Sequence, residues 1–273
     1  MLIPTPPHIF IGLKDDGTGT YPRAFSAMYA SIRAMTRSPL IISIAHDHTV
    51  TPATLNALTR QIRAGDEIRC IDVSAMAFYP LCEKHAVQRY SSAVLWRVFL
   101  PEILPDDNRV ISCDADLIFL CDIAEIWNQT LPKGYCIAAT RRQKTHPNEA
   151  YYQAIATDPS DYFRMTISLI DLQNIKQDRR FMDERTSFIT DKLPAINSLR
   201  ALSEQSLFNY FFSKQCLDLD IHLIPGINQL DGSKKMILDI KGWNNKTPLS
   251  LFFWLFLAIG TFRGTRLMQA HGK

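Results

Sequence analysis

The sequence predicts an α/β fold of Rossmann-like type, a mostly parallel mixed sheet flanked by helices, and three observations carry that expectation. Short apolar runs alternate with helically spaced segments through the first half of the chain, as crossover connections between parallel strands require. Its 273 residues, 47% hydrophobic and 21% charged, suffice to bury a large core. No repeat, low-complexity tract or linker forces a cut inside the main body of the chain.

Each element carries its own local signal. His8 to Gly12 reads as a buried strand, with the polar loop Lys14 to Thr20 at its end. Phe25, Met28, Tyr29, Ile32 and Met35 recur at steps of three and four, marking one face of a helix from Ala24 to Met35. Leu40 to Ala45 is a second strand. Thr51 as N-cap and Pro52 in the first turn open a helix that reaches about Arg63, and Glu67 to Val73 is a third strand. Ligands of such sheets bind beyond the carboxyl ends of the strands, where Lys14 to Thr20 lies. Ser91 to Leu100 has helical spacing, and Pro101 to Asp107 is a proline-punctuated connection. Arg109 to Ser112 is a strand that delivers Asp114 and Asp116 at its carboxyl end. Asp122 to Trp127 is a short helix, Tyr135 to Ala139 and Met165 to Leu172 are strands, and Ser203 to Phe212 is a helix. Phe208, Tyr210, Phe211 and Phe212 most simply pack that helix into the core.

Thirty basic against 27 acidic residues give a formal charge of +3, too balanced for a nucleic-acid footprint. The six cysteines form no Cys-x-x-Cys pair and no zinc set, so reduced thiols in a cytoplasm are the economical reading. The opening residues lack the apolar stretch of a signal peptide. Leu249 to Phe262, LSLFFWLFLAIGTF, is shorter than a membrane-spanning helix and is followed by Arg263 and Arg266. Two readings of 249–273 stand: a helix packed on the core, or an apolar and basic segment lying peripherally on the inner face of the cytoplasmic membrane. The main domain is then 1–248.

Two carboxylates one residue apart after a buried strand are the chemical centre. A loop leaving the strand can turn Asp114 and Asp116 towards one point. Hard divalent cations take oxygen ligands and keep positions for phosphate oxygens. Alone, Asp-x-Asp is also a common solvated turn. His46 and His48 flank Asp47 without the further partners of a metal site, and a polar loop edge is the simpler reading. There is no Gly-x-Ser-x-Gly elbow and no Gly-x-x-x-x-Gly-Lys or Gly-x-Gly-x-x-Gly phosphate loop.

The stretch from Ser91 to Trp127 combines Arg97, Leu100-Pro101-Glu102, the strand, Asp114 and Asp116, Asp122-Ile123 and Trp127. In order and spacing it resembles the family 8 glycosyltransferases, which include bacterial lipopolysaccharide galactosyl- and glucosyltransferases and glycogenin. The resemblance implies a GT-A type nucleotide-sugar-binding domain and a retaining hexosyltransferase that uses a UDP-sugar donor and a saccharide or glycolipid acceptor. It also implies Mn²⁺ or Mg²⁺ held by Asp114 and Asp116 on the diphosphate, Arg97 near the donor, and Asp15 (with Asp16 the alternative) at the uridine base. An Asp- and Gly-rich turn is the competing reading of that loop. Asp161-Tyr162-Phe163, Glu204-Gln205-Ser206, Ile224-Pro225 and Asn228 extend the likeness. Gln205 then stands near the anomeric carbon, Glu204 at donor hydroxyls, and Lys246 at the diphosphate.

Three departures fall in this half. Arg164 and Thr166 replace the family's Asn and Gly, placing a cation at the donor-binding edge. Glu204 replaces an Asp. Asp239 stands where the third metal ligand is normally His, and an all-oxygen set still suits Mn²⁺ or Mg²⁺. The alternative reading is a degenerate member that binds a nucleotide-sugar or a partner without turnover. A nucleotidyltransferase shares the sheet and an acidic metal site, but Leu-Pro-Glu and Trp127 belong to the other family.

Overall fold

The computed structural model describes residues 5–15, 17–87, 90–141, 148–219, 221–224 and 236–239, with the backbone alone for 222–224 and 236–239. In chain order the elements begin β1 (His8–Leu13), α1 (Thr20–Met35), β2 (Ile41–His46), α2 (Pro52–Thr59) and β3 (Glu67–Asp72). Then come α3 (Tyr79–Lys84), α4 (Ala93–Trp96), α5 (Leu100–Ile103), β4 (Arg109–Cys113), β5 (Leu117–Phe119) and α6 (Ile123–Trp127). The chain continues through β6 (Ile137–Arg141), α7 (Glu149–Ala154), β7 (Phe163–Asp171), α8 (Leu172–Gln177), α9 (Arg179–Ser187), α10 (Leu193–Leu199) and α11 (Ser203–Phe212). The series closes with β8 (Cys216–Asp218), β9 (His222–Ile224) and β10 (Met236–Asp239). The sheet is mixed and mostly parallel, seven strands in the order β3-β2-β1-β4-β7-β6-β8, flanked by helices. A second sheet has the order β5-β10-β9.

The chain forms two compact units. The first is built from Met1–Cys70, Asp114–Asn128 and the described residues from 221 onward. Its β1 and β2 run parallel from His8↔Ile41 to Leu13↔His46, and both are buried almost throughout. α1 begins at Thr20, earlier than the apolar spacing predicts, because Gly19 takes the N-cap position at φ 66°. Phe25, Met28 and Ile32 are buried as expected, whereas Met35 is 39% exposed in the last turn. Thr51 Oγ1 accepts from the Thr54 N–H at 3.1 Å and caps α2. That helix ends at Thr59 rather than Arg63, its chain tightening into short turns from the Gln61 N–H to Leu58 and from the Ile62 N–H to Thr59.

The second unit is Ile71–Cys113 with Gln129–Leu219. Its central strand β7 is antiparallel to β4, from Arg109↔Asp171 to Cys113↔Ile167, and antiparallel to β6. β6 and β8 are parallel. Strand–helix alternation predicts parallel neighbours, and β7 departs from it. Its residues alternate between apolar Phe163, Met165, Ile167 and Leu169 and polar Arg164, Thr166 and Ser168, a pattern that suits an antiparallel strand, whereas the order of strands and helices alone points to a parallel one. The predicted helix at Ser91 to Leu100 is divided into α4, a 3₁₀ turn at Arg97–Phe99, and α5. Pro101 lies inside the first turn of α5, where its missing N–H costs no hydrogen bond. Asp171 caps α8 and Asp178 caps α9. Phe208, Phe211 and Phe212 are buried as predicted, while Tyr210 is half-buried and accepts from Lys192 Nζ at 2.8 Å.

All six cysteines are thiols, and only Cys70 is exposed. Among the described residues no helix is long and apolar enough to cross a membrane. The segment 249–273 and the boundary at 248 lie outside the described residues.

Candidate active site

In the first unit the chain turns at Asp114, Ala115 and Asp116 between β4 and β5. Ala115 is buried and the acids on either side of it are half-buried. The segment after this turn is tied to α1 at two points. The Phe119 N–H donates to Ser31 Oγ at 2.9 Å, and the Ile123 N–H donates to Thr36 Oγ1 at 3.0 Å. Trp127 Nε1 donates to the Thr5 carbonyl at 3.0 Å, and Asp122 caps α6 by accepting from the Ala124 N–H at 2.9 Å. β10 pairs antiparallel with β5 in the register Asp239↔Leu117. The backbone of the third predicted ligand therefore lies across from the residue after Asp116. Carboxylates are by their chemistry suited to a hard divalent cation. Among the described residues, no group of three or more His, Cys, Asp or Glu side chains assembles into a metal site.

A second network lies at the carboxyl ends of β1 and β2. Asp47 is fully buried, its Oδ2 2.9 Å from Lys14 Nζ and its Oδ1 accepting from the Thr49 N–H at 3.0 Å. The Asp15 N–H donates to Thr49 Oγ1 at 3.0 Å. Asp15 Oδ1 accepts from the N–H groups of Gly17 and Gly19 at 3.1 and 3.0 Å, and these glycines have φ of 83° and 66°. Asp15, predicted at the uridine base, thus organises the turn of its own loop. His46 is buried at the end of β2, its Nδ1 3.3 Å from the Asp47 carbonyl oxygen. Asp16 and Lys246 lie outside the described residues.

The second unit brings Arg97, Glu204 and Gln205 together. Arg97 is 5% exposed; its Nη1 donates to the Met165 carbonyl at 2.9 Å and lies 3.6 Å from Glu204 Oε1. The Met165 N–H donates to Gln205 Oε1 at 3.2 Å, so Met165 of β7 is held through both its N–H and its carbonyl. Ser203, immediately before the pair, has φ 42°, rare for a residue with a side chain, and its N–H is received by Asn197 Oδ1 at 3.1 Å. Arg164 is half-buried on β7 beside Met165, and Thr166 is buried.

Two participants, Asn209 and Tyr151, carried no signal in the sequence. Asn209 clamps α11 to β7: Oδ1 accepts from the Phe163 N–H at 3.0 Å, and Nδ2 donates to the carbonyls of Phe163 and Gln205 at 2.9 and 2.8 Å. Tyr162 accepts from Gln205 Nε2 and lies 3.3 Å, hydroxyl to hydroxyl, from Tyr151, which in turn reaches Ser206 Oγ at 3.0 Å. Burial pushes both phenols above the usual tyrosine range, so their hydroxyls stay protonated at neutral pH. The arrangement offers paired carboxylates in one unit, and in the other a held carboxylate beside an oriented carboxamide.

Residues 13–237 match the family described as glycosyl transferase family 8. A search of curated proteins returns no match. The solved structure of the galactosyltransferase LgtC with donor and acceptor sugar analogues aligns at TM-score 0.76 and 15% identity, over 92% of this chain and 95% of that one. Mouse xyloside xylosyltransferase 1 in its apo form aligns at 0.64 and 16%, over 90% and 100%. The glycosyltransferase GlyE of Streptococcus pneumoniae TIGR4 aligns at 0.64 and 16%, over 98% and 65%. These likenesses show the fold, the GT-A type. With 13–237 of its 273 residues matched, the chain belongs to glycosyl transferase family 8.

Proposed function

We propose that the chain is a retaining hexosyltransferase that moves glucose or galactose from a UDP-sugar to a saccharide or glycolipid acceptor, lipopolysaccharide or another bacterial cell-surface glycan. The observation that carries this reading is the Asp114–Asp116 turn between two strands, inside the family-matched region, with the backbone of Asp239 registered beside it. The complex of LgtC with donor and acceptor sugar analogues supports a two-substrate site.

Asp114 and Asp116, with Asp239, would hold Mn²⁺ or Mg²⁺. When bound, that cation supplies Lewis acidity to the departing diphosphate. The other roles belong to the chain's own side chains. Arg97 keeps the Glu204 carboxylate fixed for donor hydroxyls, and Gln205 places an amide carbonyl where positive charge develops on the sugar. Its Oε1 receives one hydrogen bond from Met165, and a carbonyl oxygen has a second lone pair to offer. Asp15, or Asp16 in its place, would contact the base, and Arg164 and Lys246 would contact the donor. The setting is cytoplasmic, with 249–273 bringing the enzyme to the inner membrane face.

The test is a donor screen with Mn²⁺ present or absent, read as release of free sugar. Asp114→Ala with Asp116→Ala is expected to lower turnover by about 10²- to 10³-fold, corresponding to about 3–4 kcal/mol. Full turnover by the double variant refutes the assignment. Donor binding without sugar release by the wild-type chain supports the degenerate reading instead.

A further inference from the structure

We infer that Tyr162, braced by Tyr151, is a positioning residue that fixes which way the Gln205 carboxamide points; the inference rests on the catalytic role proposed for Gln205. A backbone N–H can only donate, so the atom of Gln205 facing Met165 is the oxygen. The amide nitrogen then faces Tyr162, which must accept from it. From there the contacts run through Tyr151 to Ser206, the next residue of α11. The chain of hydroxyls thus leaves the helix at Gln205 and returns to it one residue later.

Neither phenol has room to move. Tyr162 is 1% exposed and Tyr151 fully buried. The Tyr162 ring meets those of Tyr151 and Tyr152 edge-on, with centroids 6.1 and 5.5 Å apart, and the Arg200 guanidinium covers Tyr151 at 5.5 Å. A ring locked in this way holds its oxygen at one point. Without that oxygen, the Gln205 nitrogen loses a buried acceptor and the amide can rotate its carbonyl away from the reacting carbon.

Tyr162→Phe keeps the ring packing and removes the acceptor. Expected is a fall in kcat of about 10- to 100-fold with the donor KM changed less than about threefold. In a Gln205→Ala background the same substitution should add nothing, because its effect passes through Gln205. A readout independent of turnover is the side-chain amide NMR signal of Gln205, identified by its loss in Gln205→Ala. It should shift in Tyr162→Phe, and less so in Tyr151→Phe, which also serves if Tyr162→Phe folds poorly. An unmoved amide signal in Tyr162→Phe overturns the inference, whatever happens to kcat. Where only Tyr151→Phe folds, an unmoved signal in that variant overturns it. A wild-type chain that releases no sugar from any UDP-sugar refutes the proposed function, while the amide signal still decides the role of Tyr162.

Discussion

Arg97→Met is the substitution whose outcome the geometry constrains most tightly. The Arg97 and Glu204 side chains are 5% and 11% exposed. At their separation of 3.6 Å and an effective dielectric of about 20, the attraction is roughly 4–5 kcal/mol. Desolvation of both ions offsets much of that, so the intact pair contributes little net stability. Breaking it is different: methionine fills the space of the stem but takes the Arg97 guanidinium away from the buried Glu204 carboxylate. The expected loss is about 3–5 kcal/mol, with about 1 kcal/mol more for the Met165 carbonyl that Arg97 no longer reaches. Adding Glu204→Gln removes the charge that Arg97 faced, so the double variant should be more stable than Arg97→Met, although the loss at Met165 remains. Denaturant unfolding at constant slope measures all three differences. A loss below about 1 kcal/mol for Arg97→Met refutes the buried-pair account, as does a double variant whose loss equals the sum of the two single losses.

Asp122, though part of the family signature, acts as the cap of α6. Asp122→Ala is therefore expected to cost about 1 kcal/mol of stability and leave turnover per folded molecule unchanged, which melting and active-fraction assays separate. Burial pushes the thiols of Cys82, Cys136 and Cys216 up to about 12. An unfolded thiol titrates near about 8.5, so above that pH the unfolded chain has released protons that the folded chain keeps. Stability contributed by these groups is present below about 8.5 and falls as pH rises towards the folded values, by roughly 1.4 kcal/mol per pH unit for each thiol. Replacing the three by Ala should flatten the alkaline limb of a stability–pH curve, and an unchanged slope contradicts the assignment.

Features with local causes were legible in the sequence. The apolar runs marked the strands that lead to the loop at Lys14 and to the acidic turn. α11 occupies the range its spacing predicted, Ser203–Phe212. What escaped reading depends on partners distant in the chain or on direction. α9, RRFMDERTS, buries only Phe181 and Arg185, too few positions to show a helical stripe. Arg97 meets a glutamate more than a hundred positions away, and Tyr162 meets Gln205 across 43. No local pattern encodes either meeting.

A motif recognised as a string also merges residues of different kinds. Within 91–127, Glu102 pairs with Arg185, Asp122 caps a helix, and Trp127 holds the Thr5 carbonyl. Each of these holds a segment of its own unit in place, whereas Asp114 and Asp116 carry the chemistry proposed for the turn. The same sorting applies to Asp15. An acid followed by glycines fits both a base contact and a turn, and here its Oδ1 receives two glycine N–H groups. If the proposed donor site holds a nucleotide, a carboxylate committed to its own loop in this way would serve it first by giving that loop one shape. Recognition of a base in that site would then depend on what the shaped loop presents at the carboxyl end of β1, where the Lys14–Asp47 pair anchors it.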